Sequence, residues 1–161
     1  MSKEAPKGKA REAMPRLSEF PVTVDFAVRW GDMDSLGHVN NVIYFRYFET
    51  ARIAYFERLG VLTNLANKQV VGPILVSTRC DFIAPMVYPD AAVVGARVRE
   101  VRTTSLTMDY AVYRGPDRAL CAAGSSVIVL YDYAKREKVP IPNEVRARIE
   151  AVEGGRRSPG K

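Results

Sequence analysis

A single segment of helical periodicity, residues 41–59, lies ahead of a long run of strand-like sequence. A helix that is apolar around most of its girth is enclosed by the rest of the fold. Asn40 and Asn41 are suitable caps for the start of this helix, and Gly60 is a natural stop. The apolar side chains recur every three or four residues and cover most of the circumference: Tyr44, Phe45, Tyr47, Phe48, Ala51, Ile53, Tyr55, Phe56 and Leu59.

The other periodic segments alternate apolar and polar side chains, as half-buried β-strands do. One covers 22–29, and three more begin near residues 74, 94 and 106. A fifth predicted strand, from Leu120 to Tyr131, is long and largely apolar. A connection is predicted over 61–73, and a short terminal helix over about 143–152. One strand, one buried helix and four consecutive strands predict an α+β fold, in which one antiparallel sheet curls around the helix.

The two polar ends are predicted to be flexible tails, 1–19 and 153–161, which flank one domain over 20–152. With 161 residues, of which 47% are hydrophobic, the chain can bury a core without disulfides or metal. The net charge of +6 is concentrated in the tails, which carry +2 each. Nucleic-acid binders usually concentrate basic residues on one face of the fold, so the sequence does not favour a nucleic-acid partner.

No apolar run approaches the ~20 residues of a membrane span, and the first 20 residues lack the apolar core of a signal peptide. Cys80 and Cys121 lie in apolar strand-like runs and are expected to be reduced core thiols. These features predict a cytoplasmic protein without a membrane partner. Two Cys and one His cannot form a four-ligand Cys/His zinc site, so no metal is predicted.

The residues that could carry chemistry are grouped just ahead of the buried helix: Asp32, Asp34, His38, Asn40 and Asn41. A helix start offers unpaired N–H groups and a partial positive charge. A carboxylate beside it could attack a carbonyl group or activate water, while the N–H groups hold the developing oxyanion. The alternative interpretation is structural: the aspartates form Asx turns, and His38 and Asn40 only cap the helix.

This segment resembles the signature of the 4-hydroxybenzoyl-CoA thioesterase-like hotdog family. Members have D-x-D after the first strand, then G-H-V-N-N-x-x-Y, then F-E-x-A-R on the central helix. Here residues 31–44 read G-D-M-D-S-L-G-H-V-N-N-V-I-Y, and 48–52 read F-E-T-A-R. The resemblance covers about residues 20–145 and includes A-P at 84–85, Y-P-D at 88–90 and E-V-R-T-T-S-L at 100–106.

The resemblance implies a hotdog fold, a five-stranded antiparallel sheet wrapped around one long central helix, assembled into homodimers or homotetramers. It also implies hydrolysis of an acyl-CoA thioester without a metal or an organic cofactor. The catalytic carboxylate, a nucleophile or general base, falls on Asp34, and the oxyanion donor is the backbone N–H of Asn41. His38 and Asn40 are expected to orient the loop or the water.

The resemblance further implies that Arg102 of a neighbouring subunit meets the CoA phosphates. Tyr44 is taken as a substrate contact, although tyrosines on a buried helix are more often core residues. Glu49 and Arg52 are three residues apart, so the structural interpretation of these two residues is a simple ion pair, and the resemblance implies that this pair lies near the dimer interface.

Two other hotdog functions stay open. One is a non-hydrolytic protein that binds acyl chains or acyl-CoA without turnover. The other is a dehydratase, whose motif usually reads G-H-F-P, whereas residues 37–40 here read G-H-V-N. The sequence therefore favours the thioesterase.

Overall fold

Helix α1, Asn41–Arg58, lies at the centre of the fold and confirms the predicted central helix. The structure, a computed structural model, describes residues 14–61, 71–115 and 117–154. The side chain of Asn40 caps the helix by accepting a hydrogen bond from the N–H of Val42. Beyond the helix, Gly60 adopts a φ of +68°, a left-handed conformation that glycine accommodates without strain.

The strands form one antiparallel sheet and confirm the predicted α+β hotdog architecture. The strands are β1 Val22–Ala27, β2 Val71–Phe82, β3 Ala91–Val101, β4 Ser105–Arg114, β5 Leu120–Asp132 and β6 Glu137–Lys138. Their order across the sheet is β1-β3-β4-β5-β2, and the two-residue strand β6 is added beside β5. The sequence pattern predicts five of these strands and does not predict β6.

The sheet curls around α1, and three irregularities in strand pairing help it to do so. The register shifts at Leu75/Ser77 in β2, at Val98/Glu100 in β3 and at Val112/Tyr113 in β4. Bulges of this kind bend a strand and increase its twist. The concave face of the sheet therefore encloses the apolar helix.

Helix α1 packs tightly on the sheet where β5 carries a glycine. The ring of Phe48 stacks on Tyr110, with centroids 4.7 Å apart. A Cβ atom at Gly124 would lie 2.4 Å from the Phe48 ring, so this close approach requires glycine. Full burial of a side chain such as Phe48 contributes about 1.5–3 kcal/mol to stability.

Strand β2 begins earlier than predicted. The sequence analysis assigned 61–73 to a connection, but Val71, Gly72 and Pro73 already pair with β5. Proline is tolerated in an edge strand, because its missing N–H can face away from the ladder. Residues 62–70 lie outside the described residues.

Helix α2, Asn143–Gly154, closes one end of the sheet and is two residues longer than predicted. Its last turn is held by Glu153, which accepts hydrogen bonds from the Tyr55 hydroxyl and the Val98 N–H. Ile149 is buried in the core. Of the predicted carboxyl-terminal tail, residues 155–161 lie outside the described residues.

The described part of the amino-terminal segment lies on the outer face of the sheet. A 3-10 turn spans Leu17–Glu19, and the Tyr113 hydroxyl donates to the Pro15 carbonyl at 2.6 Å. Phe20 is buried over Gly95, where a Cβ atom would lie 2.4 Å from the Phe20 ring. Residues 1–13 of the predicted tail lie outside the described residues.

Candidate active site

The loop between β1 and α1 is a short closed turn. It begins with a 3-10 turn over Trp30–Asp32 and contains an antiparallel bridge between Met33 and Val39. Inside the bridge, the N–H of Asp34 donates to the carbonyl of His38 at 2.8 Å. The chain therefore reverses within a few residues and returns directly to the start of α1.

The segment that connects β2 to β3 supports this loop. The N–H of Val39 donates to the carbonyl of Met86 at 2.9 Å. The N–H of Tyr88 donates to the sulfur of Met33 at 3.3 Å. These two contacts fix the loop to the end of the sheet at which β2 finishes.

Asp34 is half-buried, and the loop itself holds one of its carboxylate oxygens. Oδ1 accepts a hydrogen bond from the N–H of Leu36 at 2.8 Å and a longer one from His38 at 3.4 Å. These are the bonds of an Asx turn, so the structural role considered from the sequence is present. Among the described residues, Oδ2 has no hydrogen-bond partner. The carboxylate is thus fixed in place and keeps one oxygen available for chemistry.

Asp32 has different partners and a structural role. Its Oδ2 accepts a hydrogen bond from the N–H of Arg29 at 2.9 Å, and its own N–H donates to the Arg29 carbonyl at 3.0 Å. Its carbonyl accepts from the N–H of Asn40 at 2.8 Å. The carboxylate of Asp32 therefore stabilises the first turn of the loop through Oδ2, and its Oδ1, like Oδ2 of Asp34, has no hydrogen-bond partner among the described residues.

The start of α1 presents an unpartnered donor. Asn40 Oδ1 accepts from the N–H of Val42 at 3.1 Å, whereas the N–H of Asn41 has no acceptor in 14–61, 71–115 or 117–154. The first turn of α1 contains no acidic residue, so its partial positive charge is not neutralised there. This helix start can stabilise a developing negative charge.

His38 contributes its backbone to the turn, while its side chain is exposed. The imidazole has no hydrogen-bond partner in the part of the chain that the structure describes. Its proposed action on the loop or on water therefore stays a prediction.

The aromatic residues near the loop differ in burial. Tyr44 is 3% exposed and packs against Phe82 with centroids 5.2 Å apart, which confirms it as a core residue. Burial raises the pKa of Tyr44 to about 12, so its hydroxyl stays protonated at neutral pH. Trp30 is 76% exposed and touches Tyr88 edge-on, with centroids 5.7 Å apart. The contact between Tyr44 and substrate stays a prediction.

Arg102 lies at the opposite end of the sheet from Asp34. Strand β1 ends at Ala27, shortly before Asp34, and Ala27 pairs with Ala91 at the start of β3. Arg102 directly follows the last residue of β3. The 11 residues of β3 span roughly 35 Å. Arg102 is exposed, and its Nε lies 2.9 Å from Glu100 Oε1. A single chain therefore does not bring Arg102 and Asp34 together.

The inward position of Arg52 was not predicted from the sequence. The expected pair between Glu49 and Arg52 is wrong: Glu49 lies 2.5 Å from Arg46 instead. Arg52 turns inward, is only 9% exposed, and has Nη1 3.5 Å from the Tyr110 hydroxyl. Helical spacing could have indicated that Arg52 points inward, because Tyr55 lies three residues further along on the same side of α1 and is fully buried.

Cys80 and Cys121 are both free thiols. Within the described ranges, no group of three His, Cys, Asp or Glu side chains is arranged to hold a metal ion. The described helices include none that combines the length and apolar character needed to span a membrane.

The sequence profile of the Thioesterase-like superfamily matches residues 28–149. A thioesterase from Thermus thermophilus, solved with coenzyme A and Zn, is 34% identical; the match covers 84% of this chain and 97% of that one, with a TM-score of 0.72. The acyl-acyl carrier protein thioesterase ATL3 of Arabidopsis thaliana is 24% identical over 133 residues, 83% of this chain and 69% of ATL3. The uncharacterized protein YsmA of Bacillus subtilis is 33% identical over 84 residues. That match spans 52% of this chain and about half, 55%, of YsmA.

The profile match includes every element that builds the loop and the start of α1. It begins at the end of β1 and continues through the sheet into α2. The Thermus structure shares both the fold and a third of the aligned residues. The chain therefore belongs to the thioesterase-like superfamily, as the resemblance of its loop and helix motif predicted.

Proposed function

We propose that this chain hydrolyses acyl-CoA thioesters to a free acid and CoA, with Asp34 as nucleophile or general base. One observation carries the proposal: Asp34 is fixed through Oδ1, keeps Oδ2 available, and lies in the turn that leads to the unpartnered N–H of Asn41. A held carboxylate and a nearby N–H donor are the two groups that thioester hydrolysis needs. Membership of the superfamily supports the same reaction class.

The general-base route follows from these two groups. Asp34 accepts a proton from water while the water oxygen bonds to the thioester carbonyl carbon. The N–H of Asn41 and the positive end of α1 stabilise the charge that develops on the carbonyl oxygen. The C–S bond then breaks, and the proton on Asp34 passes to the CoA sulfur. In the nucleophilic route, Asp34 itself bonds to the carbonyl carbon, CoA leaves, and water hydrolyses the anhydride.

Asn40 and His38 would support this chemistry from the loop. Asn40 fixes the first turn of α1 through its bond to Val42, so it holds the Asn41 N–H in position. The exposed imidazole of His38 is available to orient the attacking water. The proposal requires no metal or organic cofactor. We place the reaction in the cytoplasm, where the free thiols Cys80 and Cys121 would stay reduced.

We further propose a homodimer, alone or within a homotetramer, joined at the edge strand β2. This strand has a neighbour on one side only among the described strands. Its apolar residues Ile74, Leu75 and Val76 are 37%, 43% and 61% exposed. An exposed apolar edge favours pairing with another chain, and a two-fold contact uses the same edge twice.

Such a dimer would supply the missing cation for CoA. Antiparallel pairing of two β2 strands brings the Val71 end of one beside the Phe82 end of the other. The Phe82 end leads to the support of the Asp34 loop, and the Val71 end lies near the turn that carries Arg102. The partner subunit's Arg102 would then be on the same side as Asp34. Arginine suits the phosphates of CoA.

The experiment compares Asp34→Asn with Asp32→Asn, a matched pair that removes one carboxylate from the same loop. Thiol release is measured on a panel of acyl-CoA thioesters and on an acyl-carrier-protein thioester. We expect Asp34→Asn to lower kcat/KM by about 100-fold or more, and Asp32→Asn to have a much smaller effect. Equal, small effects of both substitutions would contradict the role of Asp34.

The same panel tests the alternative function. Saturable acyl-CoA binding by calorimetry, with no thiol released from any panel member, would identify a non-hydrolytic binding protein. If thiol is released only from the acyl-carrier-protein thioester, the acyl group is carried by that protein and not by CoA. The reaction would still be thioester hydrolysis.

A further inference from the structure

Arg52 is a buried cation that has no acidic side chain beside it among the described residues. The side chain is 9% exposed, and among the described residues its one hydrogen-bonding contact is the 3.5 Å approach of Nη1 to the Tyr110 hydroxyl. Across 14–61, 71–115 and 117–154, no carboxylate lies within ion-pair distance of its guanidinium. A guanidinium has five N–H donors, and a buried unpaired charge is costly. The remaining donors therefore suit an acceptor that these residues do not supply.

Arg52 lines a groove between α1 and the edge strand β2. The groove has a volume of about 270 Å³. Val42 and Phe45 contribute apolar surface from α1, and Leu75 contributes it from β2. Because β2 is the strand at which we propose that the homodimer is joined, the groove would lie beside the subunit contact. Thr78, also from β2, adds a hydroxyl group to the lining. The groove thus combines apolar surface near the start of α1 with charged side chains further along the helix, and Arg52 lies at that end.

The other charges in the groove largely cancel each other. Arg46 and Glu49 also line it, and they form an exposed ion pair at 2.5 Å, with side chains that are 72% and 47% exposed. Arg52 therefore gives the groove its net positive charge. An anion is favoured at Arg52, where burial strengthens the attraction.

The groove begins next to the proposed oxyanion donor. Val42 directly follows Asn41 in the first turn of α1. Arg52 lies eleven residues after Asn41, which is about 16 Å along the helix axis. Helical side chains lean toward the amino-terminal end, so the guanidinium is nearer, roughly 10 Å from Asn41 along the axis. An acyl chain whose carbonyl group bonds to Asn41 would therefore run along α1 toward Arg52.

We propose that Arg52 determines specificity by binding a carboxylate at the far end of the acyl group. The preferred substrates are then ω-carboxyacyl-CoA thioesters of medium chain length. This inference rests on the proposed function, because it takes Asn41 as the position of the thioester carbonyl. The guanidinium can bind the carboxylate through two parallel hydrogen bonds, and the methylene chain covers apolar surface at Val42 and Phe45.

The test uses two pairs of thioesters that differ only in the terminal group: adipoyl-CoA with hexanoyl-CoA, and succinyl-CoA with butyryl-CoA. The wild-type protein is expected to show kcat/KM about tenfold or more higher for adipoyl-CoA than for hexanoyl-CoA. The shorter pair should show a smaller preference, because succinyl has two fewer methylene groups with which to span the distance to Arg52. Arg52→Met should reduce the adipoyl-to-hexanoyl ratio to about one. Arg46→Met, which changes the exposed arginine of the same groove, is the matched control and should keep the ratio.

A binding measurement covers the case in which Arg52→Met does not fold. Adipate is expected to raise the unfolding temperature of the wild-type protein, and hexanoate at equal concentration is not. Equal kcat/KM for adipoyl-CoA and hexanoyl-CoA, with hydrolysis of both, would overturn the inference and leave the proposed function standing. No thiol release from any of the four thioesters would overturn the proposed function and the inference with it.

One further outcome would show that the carboxylate bound by Arg52 belongs to a second copy of the chain. If the wild-type protein shows no preference for adipoyl-CoA and Arg52→Met weakens self-association, a carboxylate of the partner subunit occupies the groove. The inference about substrate would then be wrong.

Discussion

Tyr55 and Glu153 join the last turn of the central helix to the last turn of α2. The Tyr55 hydroxyl donates to Glu153 Oε1 at 2.6 Å, and the same oxygen accepts from the N–H of Val98 at 2.7 Å. Burial, together with the Glu153 carboxylate, raises the pKa of Tyr55, so the hydroxyl stays a donor across the neutral range. One carboxylate oxygen thereby connects α1, α2 and β3.

We expect Tyr55→Phe to lower the free energy of unfolding by about 1–3 kcal/mol, because a partly buried carboxylate loses a donor. Urea denaturation followed by circular dichroism measures the change. Unaltered stability would show that this bond does not hold α2 in place.

Tyr47 provides the opposite case. Its ring packs against Phe26 with centroids 4.5 Å apart, and within the described residues its hydroxyl is buried without a hydrogen-bond partner. Tyr47→Phe removes this unsatisfied group, so we expect the unfolding free energy to stay the same or to rise by about 1–2 kcal/mol. The same urea experiment checks this, with Tyr55→Phe as the matched control. A clear loss of stability would show that the Tyr47 hydroxyl does have a hydrogen-bond partner.

Burial is expected to make the thiols unreactive in the folded protein. It raises the pKa of Cys80 to about 11 and also raises that of Cys121. The thiolate is the reactive form, so Cys80 at pH 8 should react with a disulfide reagent about 100-fold more slowly than in urea. Peptide mapping after timed labelling measures the two rates, and similar rates would contradict the prediction. Because the folded-state pKa is raised, the stability that Cys80 contributes is complete below about pH 9 and is lost as pH rises through about 11.

Arg102→Ala should raise KM for acyl-CoA about tenfold with little change in kcat, because phosphate contacts stabilise the ground and transition states alike. Steady-state kinetics are measured with an acyl-CoA and with a short acyl thioester that lacks the nucleotide. The comparison shows whether Arg102 contacts the nucleotide part of the substrate or its acyl part. The short thioester should show little change. Arg99→Ala is the control, since Arg99 pairs with Asp109 at 3.1 Å. Unchanged KM for both substrates would exclude Arg102 as the CoA contact.

Val76→Lys should convert the proposed homodimer to monomers and lower thioesterase activity. Val76 is 61% exposed at the bulge of β2, and two lysines would meet there across the two-fold axis. Light scattering at micromolar concentration gives the mass. Thr23→Lys, at an exposed residue of β1 on the opposite edge of the sheet, is the control. A monomeric wild-type protein would rule out the dimer.

Local periodicity was sufficient to predict α1 and the five main strands, because a buried helix and a half-buried strand leave different apolar repeats. Pro73 was misread as the end of a connection. A strand tolerates proline when it lies at the edge of a sheet. Among the described strands β2 pairs only with β5, and this pairing is what puts it at the edge. That property is not local, so the sequence pattern did not contain it.

The loop of the candidate site could be predicted because Asp34, Asn40 and Asn41 are close in sequence. Two other features depend on the fold. The inward turn of Arg52 requires knowing which side of α1 meets the sheet, since the spacing to Glu49 suggested a surface pair. The separation of Arg102 from Asp34 requires the register of β1 with β3.

The hydrogen bond between the N–H of Val39 and the carbonyl of Met86 links the turn that carries Asp34 to the segment that follows the edge strand β2. Met86 lies four residues after the end of β2, the strand on which a second copy would pair. A strand added to β2 would restrain the segment that supports Asp34. Subunit association and substrate binding then become linked equilibria, and each raises the affinity of the other by the same factor. The apparent substrate affinity would accordingly increase with protein concentration, and substrate would in turn hold the two subunits together at high dilution.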